Sequence, residues 1–393
     1  MKRTQSDRWA ALAAVVREIY GEGVVPLHRP VFEGNERRYL VDCIDSNFVS
    51  SVGAQVAEFE QRVAAFTGSR HAIATVNGTA ALHVALQLAG VGRGDEVLSQ
   101  ALTFVATCNA LSYCGAHPVF VDVDRDTLGM SPGALRRFLA LHAERRDGGC
   151  WNRASGRRIA ACVPMHTFGI PVRIAEIAEV CAEWGIVLVE DAAESLGSYA
   201  GTRHTGTFGR LSTLSFNGNK VITTGGGGMI LTDDDALAKR AKHLTTTAKV
   251  PHPYEFVHDE VGYNYRLPNL NAALGCAQME LLEPMLAIKA EVAQRYREFC
   301  ARSGMRFAGP LPGDTANFWL NAVVLDSPAE REDLLEYTNA LGIMTRPIWR
   351  LMPRLAMYQG CQHDGLENSY WLEARVVNLP SSVPEGAFAR LRA

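Results

Sequence analysis

Short apolar runs and helical patterns alternate from His71 to Glu190, and this alternation is the strongest constraint on the fold. The strand-like runs are His71 to Val76, Asp95 to Leu98, Pro118 to Val123, Ile159 to Pro164 and Ile186 to Glu190. Between them lie helical stretches at Ala81 to Ala89, Phe104 to Tyr113, Ser131 to Leu139 and Ile174 to Trp184. Antiparallel strands can be joined by a tight turn, whereas parallel ones need a long crossover. Strands separated by helices at this spacing therefore predict a largely parallel sheet covered on both faces. Ser131-Pro132 marks one helix start, with serine as N-cap and proline at the first helical position. Arg145 to Arg158, with Gly148-Gly149 and five arginines, reads as an exposed inserted loop.

The pattern changes after about Tyr265. Asn269 to Ser303 reads as one long helix with a break near Pro284. A strand at Asn317 to Leu325, a helix at Arg331 to Leu341, a strand at Ile343 to Ile348 and a helix at Tyr370 to Val376 follow. Ahead of the sheet, Asn35 to Ile44 reads as a helix with Asn35 as N-cap and Leu40, Val41 and Ile44 inward. Ala54 to Phe66 reads as a second helix, closed by Gly68. Apolar residues at 9, 12, 15, 16 and 19 share one helix face, and Arg17-Glu18 follows the apolar run at once. That is an amphipathic helix packing on the body, not a signal peptide. The expected division is an N-terminal helix in 1–25, a large α/β domain in 26–265 and a smaller α+β domain in 266–393.

A chain of 393 residues with 47% hydrophobic and 21% charged residues can bury a sizeable core. A formal net charge of −3 gives no reason to expect nucleic acid or an anionic membrane as partner. No stretch approaches the ~18 apolar residues of a membrane span. Nine cysteines, an odd count with no C-x-x-C, sit mostly in apolar runs. They read as reduced thiols in a cytoplasmic protein, not as disulfides or a zinc site. There is no P-loop, no G-x-G-x-x-G, no G-x-S-x-G and no set with metal-ligand spacing.

Ser212 to Phe216 is a short strand pattern, broken by Asn217-Gly218-Asn219. Lys220 comes directly after the break, and Gly225 to Gly228 then allow close backbone approach and positive φ. The stretch fits either a surface turn with a salt-bridging lysine or a lysine fixed among apolar neighbours for attack on a carbonyl. Asn77-Gly78-Thr79-Ala80 joins a strand to a helix N-terminus, where free N–H groups favour an anion, although any such turn looks similar. Asp191 ends a strand and is either ligand-facing or the N-cap of the next helix. Phe104 fits a core as well as a pocket, and His166 fits a packed position as well as one facing a ligand.

Ser215-Phe-Asn-Gly-Asn-Lys220-Val-Ile-Thr-Thr-Gly, Glu190-Asp191-Ala-Ala-Glu194-Ser195 and Gly262-Tyr-Asn264-Tyr-Arg266 together resemble the DegT/DnrJ/EryC1/StrS sugar aminotransferases. The likeness runs from about Pro26 to about Pro380. It implies a fold-type I architecture, with a mostly parallel mixed seven-stranded sheet between helices, and pyridoxal phosphate (PLP) as cofactor. It implies that Lys220 carries the cofactor and moves protons, and that Asp191 pairs with the pyridine nitrogen. It assigns Gly78, Thr79, Ala80 and Ser215 to the phosphate, Phe104 to ring stacking and Glu194 to the ring hydroxyl. Asn264 would reach the phosphate of the other subunit, so the resemblance also implies a homodimer with shared sites.

Met344-Thr-Arg-Pro-Ile-Trp-Arg-Leu-Met352 and Val376-Val-Asn-Leu-Pro380 resemble most the LegC-type subgroup. The implied reaction moves an amino group from an amino acid, glutamate foremost, to a nucleotide-linked 4-keto-6-deoxy sugar bearing an N-acetyl group. Arg266, Arg346 and Arg350 are candidates for the pyrophosphate and His166 for the substrate. Competing readings are a 3-keto-sugar aminotransferase, a PLP-dependent sugar dehydratase and a catalytically silent regulatory relative. The dehydratases carry histidine where Lys220 stands, which argues against that one.

Overall fold

A computed structural model describes residues 5–392. Helices α1 (Gln5–Tyr20), α2 (Glu36–Asp45) and α3 (Ala54–Thr67) precede the sheet, and Gly68 closes α3 at φ +77°. Then come β1 (His71–Thr75), α4 (Gly78–Leu88), β2 (Glu96–Gln100), α5 (Val105–Tyr113), β3 (His117–Val121) and α6 (Pro132–His142). β4 (Ala143–Arg146), β5 (Gly149–Asn152), β6 (Arg158–Val163), α7 (Ile174–Trp184) and β7 (Val187–Asp191) are next along the chain. A two-stranded ladder of β8 (Tyr199–Ala200) and β9 (Arg203–His204) leads to β10 (Leu211–Ser215), β11 (Gly228–Thr232) and α8 (Asp235–Thr245).

The main sheet has the order β1-β11-β10-β7-β6-β2-β3. β10, β7, β6, β2 and β3 are parallel to one another, and β11 is antiparallel to both β10 and β1. The expected seven-strand path is present, and β4–β5 extends it to nine. That extension corrects the reading of 145–158 as a loop. Cys150 and Asn152 point inward and Trp151 is half-buried, a period of two too short to register beside the arginines. Asn152 Nδ2 also donates to buried Glu96 Oε2 at 2.6 Å.

After the small ladder β12 (Lys249–Val250) and β13 (Val257–His258), α9 (Asn269–Ser303) runs through Pro284 without the expected break. A proline forfeits one backbone hydrogen bond. Buried Leu281, Leu282, Met285 and Ile288 hold this turn of the helix against the core. β14 (Arg306–Ala308), β15 (Asn321–Val324), α10 (Pro328–Ala340), β16 (Arg346–Pro347), α11 (Glu367–Glu373), β17 (Val376–Leu379) and α12 (Ala387–Arg392) complete the chain. Their antiparallel sheet has the order β14-β15-β17-β16. The helix expected up to Val376 stops at Glu373, and the next residues form a central strand of that sheet.

Trp9, Leu12, Val16 and Ile19 of α1 are buried against Val292, Tyr296 and Phe299 of α9 and Val323 and Val377 of this second sheet. On α2 the inward residues are Glu36 and Cys43, whereas Val41 and Ile44 are 51% and 59% exposed. Their outward turn corrects the expected face in part: Leu40 is half-buried, and α2 packs on α9 through the side that carries Glu36 and Cys43. Asn35 precedes α2, but its amide donates to Glu280 rather than capping the helix. All nine cysteines are free thiols. Among the described residues no helix is long and apolar enough to cross a membrane.

Candidate active site

The carboxyl ends of the parallel strands open into a cavity of about 780 Å3, closed on the far side by residues around β15–β17. At its floor, Asn77 caps α4 by accepting from Ala80 N at 2.8 Å. The first N–H groups of a helix have no intrahelical partner, so those of Gly78 and Thr79 are available at a positive helix end. Ser215, at the end of β10, faces the same turn: a Cβ on Gly78 would lie 2.9 Å from the Ser215 Cβ. The glycine run serves this turn too. A Cβ on Gly228 would meet Asn77 C and O at 2.5 and 2.4 Å, so β11 can pass there only as glycine. Of the run, Gly225 alone has positive φ, +78°. Ala80 does not line the cavity and its N–H is already taken, so its expected phosphate contact is not what the geometry offers.

Three ionisable groups meet above this turn. Lys220 is held in the loop after β10 by its own N–H to Asn217 O at 2.9 Å. Its Nζ lies 3.3 Å from Glu194 Oε1 and 4.0 Å from the centre of the Trp319 ring. Trp319 in turn donates from Nε1 to Asn219 O at 2.5 Å, which clamps the loop carrying the lysine. Asp191 is 5% exposed; its Oδ2 accepts from Thr107 Oγ1 at 2.7 Å and its Oδ1 from Ala193 N at 3.2 Å. Burial raises the Asp191 pKa, against the pull of Thr107, Ala193 and Lys220. Burial pushes Glu194 up to about 7, although Lys220 and the Phe168 N–H, 2.9 Å from its Oε2, favour the anion.

The Glu194 shift has a measurable sign. Its pKa rises from an ordinary 4.5 to about 7, so the folded chain keeps a proton that the unfolded chain releases. The Glu194 contribution to stability should fall as pH rises from about 4.5 to about 7, by roughly 3 kcal/mol in total, while buried His28 and His204, whose pKa values are lowered, contribute with the opposite sign. Glu194→Gln removes this contribution and leaves the histidine ones, so the gap between the wild-type and variant curves should change across the range. Denaturant unfolding of cofactor-free protein across this range would show it, and parallel curves for the two proteins would refute it.

Phe104, 47% exposed, lines the mouth of the cavity, with Trp349 6.1 Å away. Arg346 and Arg350 line it as well. His166 does not. It is fully buried behind the site, with Nε2 3.1 Å from Glu190 Oε2 and Nδ1 accepting from Val172 N. This corrects its place among substrate-facing candidates: Glu190, which also accepts from Gly206, Phe208 and Gly209 N–H, needs a buried partner. Asn264 and Arg266 are exposed and lie outside the cavity of their own chain. Arg266 borders a separate surface cleft with Lys249 and His252. Thr107, Trp319 and Trp349 also belong to the site, and no motif in the sequence marks them. For Thr107 a signal existed, since it stands one helical turn after Thr103 and their hydroxyls are 2.7 Å apart.

Residues 31–384 match the DegT/DnrJ/EryC1/StrS aminotransferase family. The chain belongs to that family. It is 34% identical over 363 residues to the GDP-perosamine synthase of Vibrio cholerae, covering 91% of this chain and 94% of that one. It is 37% identical over 325 residues to EpsN of Bacillus subtilis (strain 168), a putative pyridoxal phosphate-dependent aminotransferase, covering 82% and 81%. Among solved structures it resembles DesI in the presence of its TDP-sugar product, with TM-score 0.80 and 28% identity over 92% of this chain and 89% of that one. These likenesses make the protein a sugar aminotransferase of the DegT/DnrJ type on the α/β fold expected from its sequence.

Proposed function

We propose that this aminotransferase uses PLP to move an amino group from an amino acid, glutamate foremost, to a nucleotide-linked 4-keto-6-deoxy sugar. The observation that carries the reading is the convergence of Lys220, Asp191 and Glu194 in one cavity above the N-terminus of α4. The donor set fits the cofactor: a helix end and a serine for a phosphate, a buried carboxylate for a pyridinium and an amine for an aldehyde. Bound there, PLP would supply an electron sink that acidifies the carbon bearing the amino group.

The chain's own residues supply the rest. Gly78 and Thr79 N–H groups and the Ser215 hydroxyl would hold the phosphate. Asp191, oriented by Thr107, would keep the ring nitrogen protonated, and Phe104 at the mouth would cover the ring. Lys220 would take a proton from the substrate carbon and return it one position along, while Trp319 restricts its swing. Glu194, whose burial favours the protonated form, can accept from or donate toward a ring hydroxyl. Arg346 and Arg350 at the rim suit a pyrophosphate.

The perosamine synthase and DesI names support a nucleotide sugar as acceptor, and the 344–352 and 376–380 stretches support the LegC-type, N-acetylated class. Lys220 disfavours the dehydratase reading, and the assembled cavity disfavours a silent relative. Incubation with glutamate and a panel of GDP-, UDP- and TDP-linked keto-sugars, read by mass spectrometry, tests this. Amination of a 4-keto-6-deoxy sugar is expected. Amination only at carbon 3, loss of water instead, or no product from any member would overturn it.

A further inference from the structure

The cavity has a second polar wall, away from Lys220. His28 and Asn378 both line it, one from the segment before α2 and one from β17. The two segments are tied together: Ser381 N donates to Leu27 O at 2.7 Å, and Arg29 N to Ser382 Oγ at 2.9 Å. Behind them lies Lys289 of α9, 1% exposed. Its Nζ is 2.5 Å from Ser381 O, 3.3 Å from Trp319 O and 3.2 Å from His28 Nε2.

An ammonium has three N–H groups and no acceptor. Two of its partners here are carbonyls, which only accept, so with Lys289 charged the third contact makes His28 Nε2 an acceptor too. Burial, then the Lys289 and Lys220 charges, hold the His28 pKa well below its ordinary value, so the ring carries one proton. That proton is on Nδ1. Both His28 Nδ1 and Asn378 Nδ2 are buried without a hydrogen-bond partner. A buried donor left unmet is destabilising, and native proteins keep few of them.

Two such donors on one wall call for an acceptor that arrives with a ligand. The charge around them specifies it further. Lys289 lies behind His28, and Arg346, opposite Asn378 in the β16–β17 register, lines the same cavity. The acidic residues among the described lining are Asp191 and Glu194, which belong to the Lys220 cluster. We infer that His28 and Asn378, backed by Lys289, form a subsite for a carboxylate, that of the amino-acid donor. The donor's identity rests on the aminotransferase reading; the subsite rests on its own geometry.

Calorimetric titration of the holoenzyme tests it with three probes: glutarate, which lacks an amino group and cannot react, its neutral diamide, and inorganic pyrophosphate. Burial draws Lys289 down to about 7, so titrations belong near pH 6, where the ammonium persists. Glutarate should bind and the diamide should not. His28→Phe and Asn378→Ala should each weaken glutarate roughly 10- to 100-fold, as expected for a lost hydrogen bond to a charged group. His28→Gln should restore binding, because its amide can accept from Lys289 and still donate. Pyrophosphate binding should be unchanged, which also shows that the variants fold. Equal binding of glutarate and diamide, unaltered glutarate binding in both variants, or loss of pyrophosphate instead would overturn the carboxylate assignment. None of these readouts depends on turnover, so failure of the keto-sugar panel would be a separate result.

Discussion

Lys220→Ala should give a folded protein that does not turn over, with activity down by about ten-thousand-fold or more, the upper end of what one acid–base group contributes. The expectation comes from position. Lys220 is the one lysine among the described lining residues of the 780 Å3 cavity, so no second amine there can take its place. Lys289, the nearest alternative by chemistry, has all its N–H groups turned to Ser381, Trp319 and His28. Wild-type protein should be yellow, and borohydride should fix the cofactor to a peptide containing Lys220. The alanine variant should bind added PLP reversibly through the Gly78–Thr79 turn and lose it on dialysis. A wild-type protein that stays colourless with added PLP would remove the basis of the proposed chemistry, as would a Lys220→Ala variant that keeps its rate.

The layout of the sheet was legible because its signal is local. β1, β2, β3, β6 and β7 are each a short, largely apolar run, and helices separate them. Ser131 caps α6, accepting from Ala134 N, as a serine before proline suggests. What was not legible depended on contacts distant in sequence. The outward stripe of α2 looks like a core face, because hydrophobicity alone does not say which neighbour covers it. β17 is a buried four-residue run that periodicity cannot tell from a helix end. In the site, the βα turn and the lysine loop could be placed from their motifs. Trp319, Trp349 and His28 could not, since 99 residues or more of chain separate each from Lys220 and only folding brings them to it. His166 shows the converse: it ends a strand beside the site, yet the fold commits it to Glu190.

The second large effect concerns Asn264. The segment around it is tied to the body by backbone hydrogen bonds: Tyr263 N donates to Leu244 O at 2.7 Å, Tyr265 N to Thr245 O at 3.0 Å, and Val76 N to Tyr265 O at 2.8 Å. The Tyr263 ring packs edge-on to His83 of α4 at 5.0 Å. Thus Asn264 is displayed at the surface by hydrogen-bonded neighbours, outside its own cavity. Tyr254, Phe256 and Val261 nearby are each more than 80% exposed, an apolar surface that a second copy would cover. We propose that each active site combines Lys220 of one chain with Asn264 of the other across a two-fold axis. Lys220→Ala and Asn264→Trp homodimers should both be inactive, the first for lack of the amine and the second because the bulky ring blocks phosphate binding. Mixed and allowed to exchange, they should recover about a quarter of wild-type activity: half the dimers are mixed, and in each of those one site receives both lesions and the other none. If Asn264 served its own chain, every site in the mixture would keep one lesion. Heterodimers shown to form by mass spectrometry but still inactive would therefore exclude the shared site.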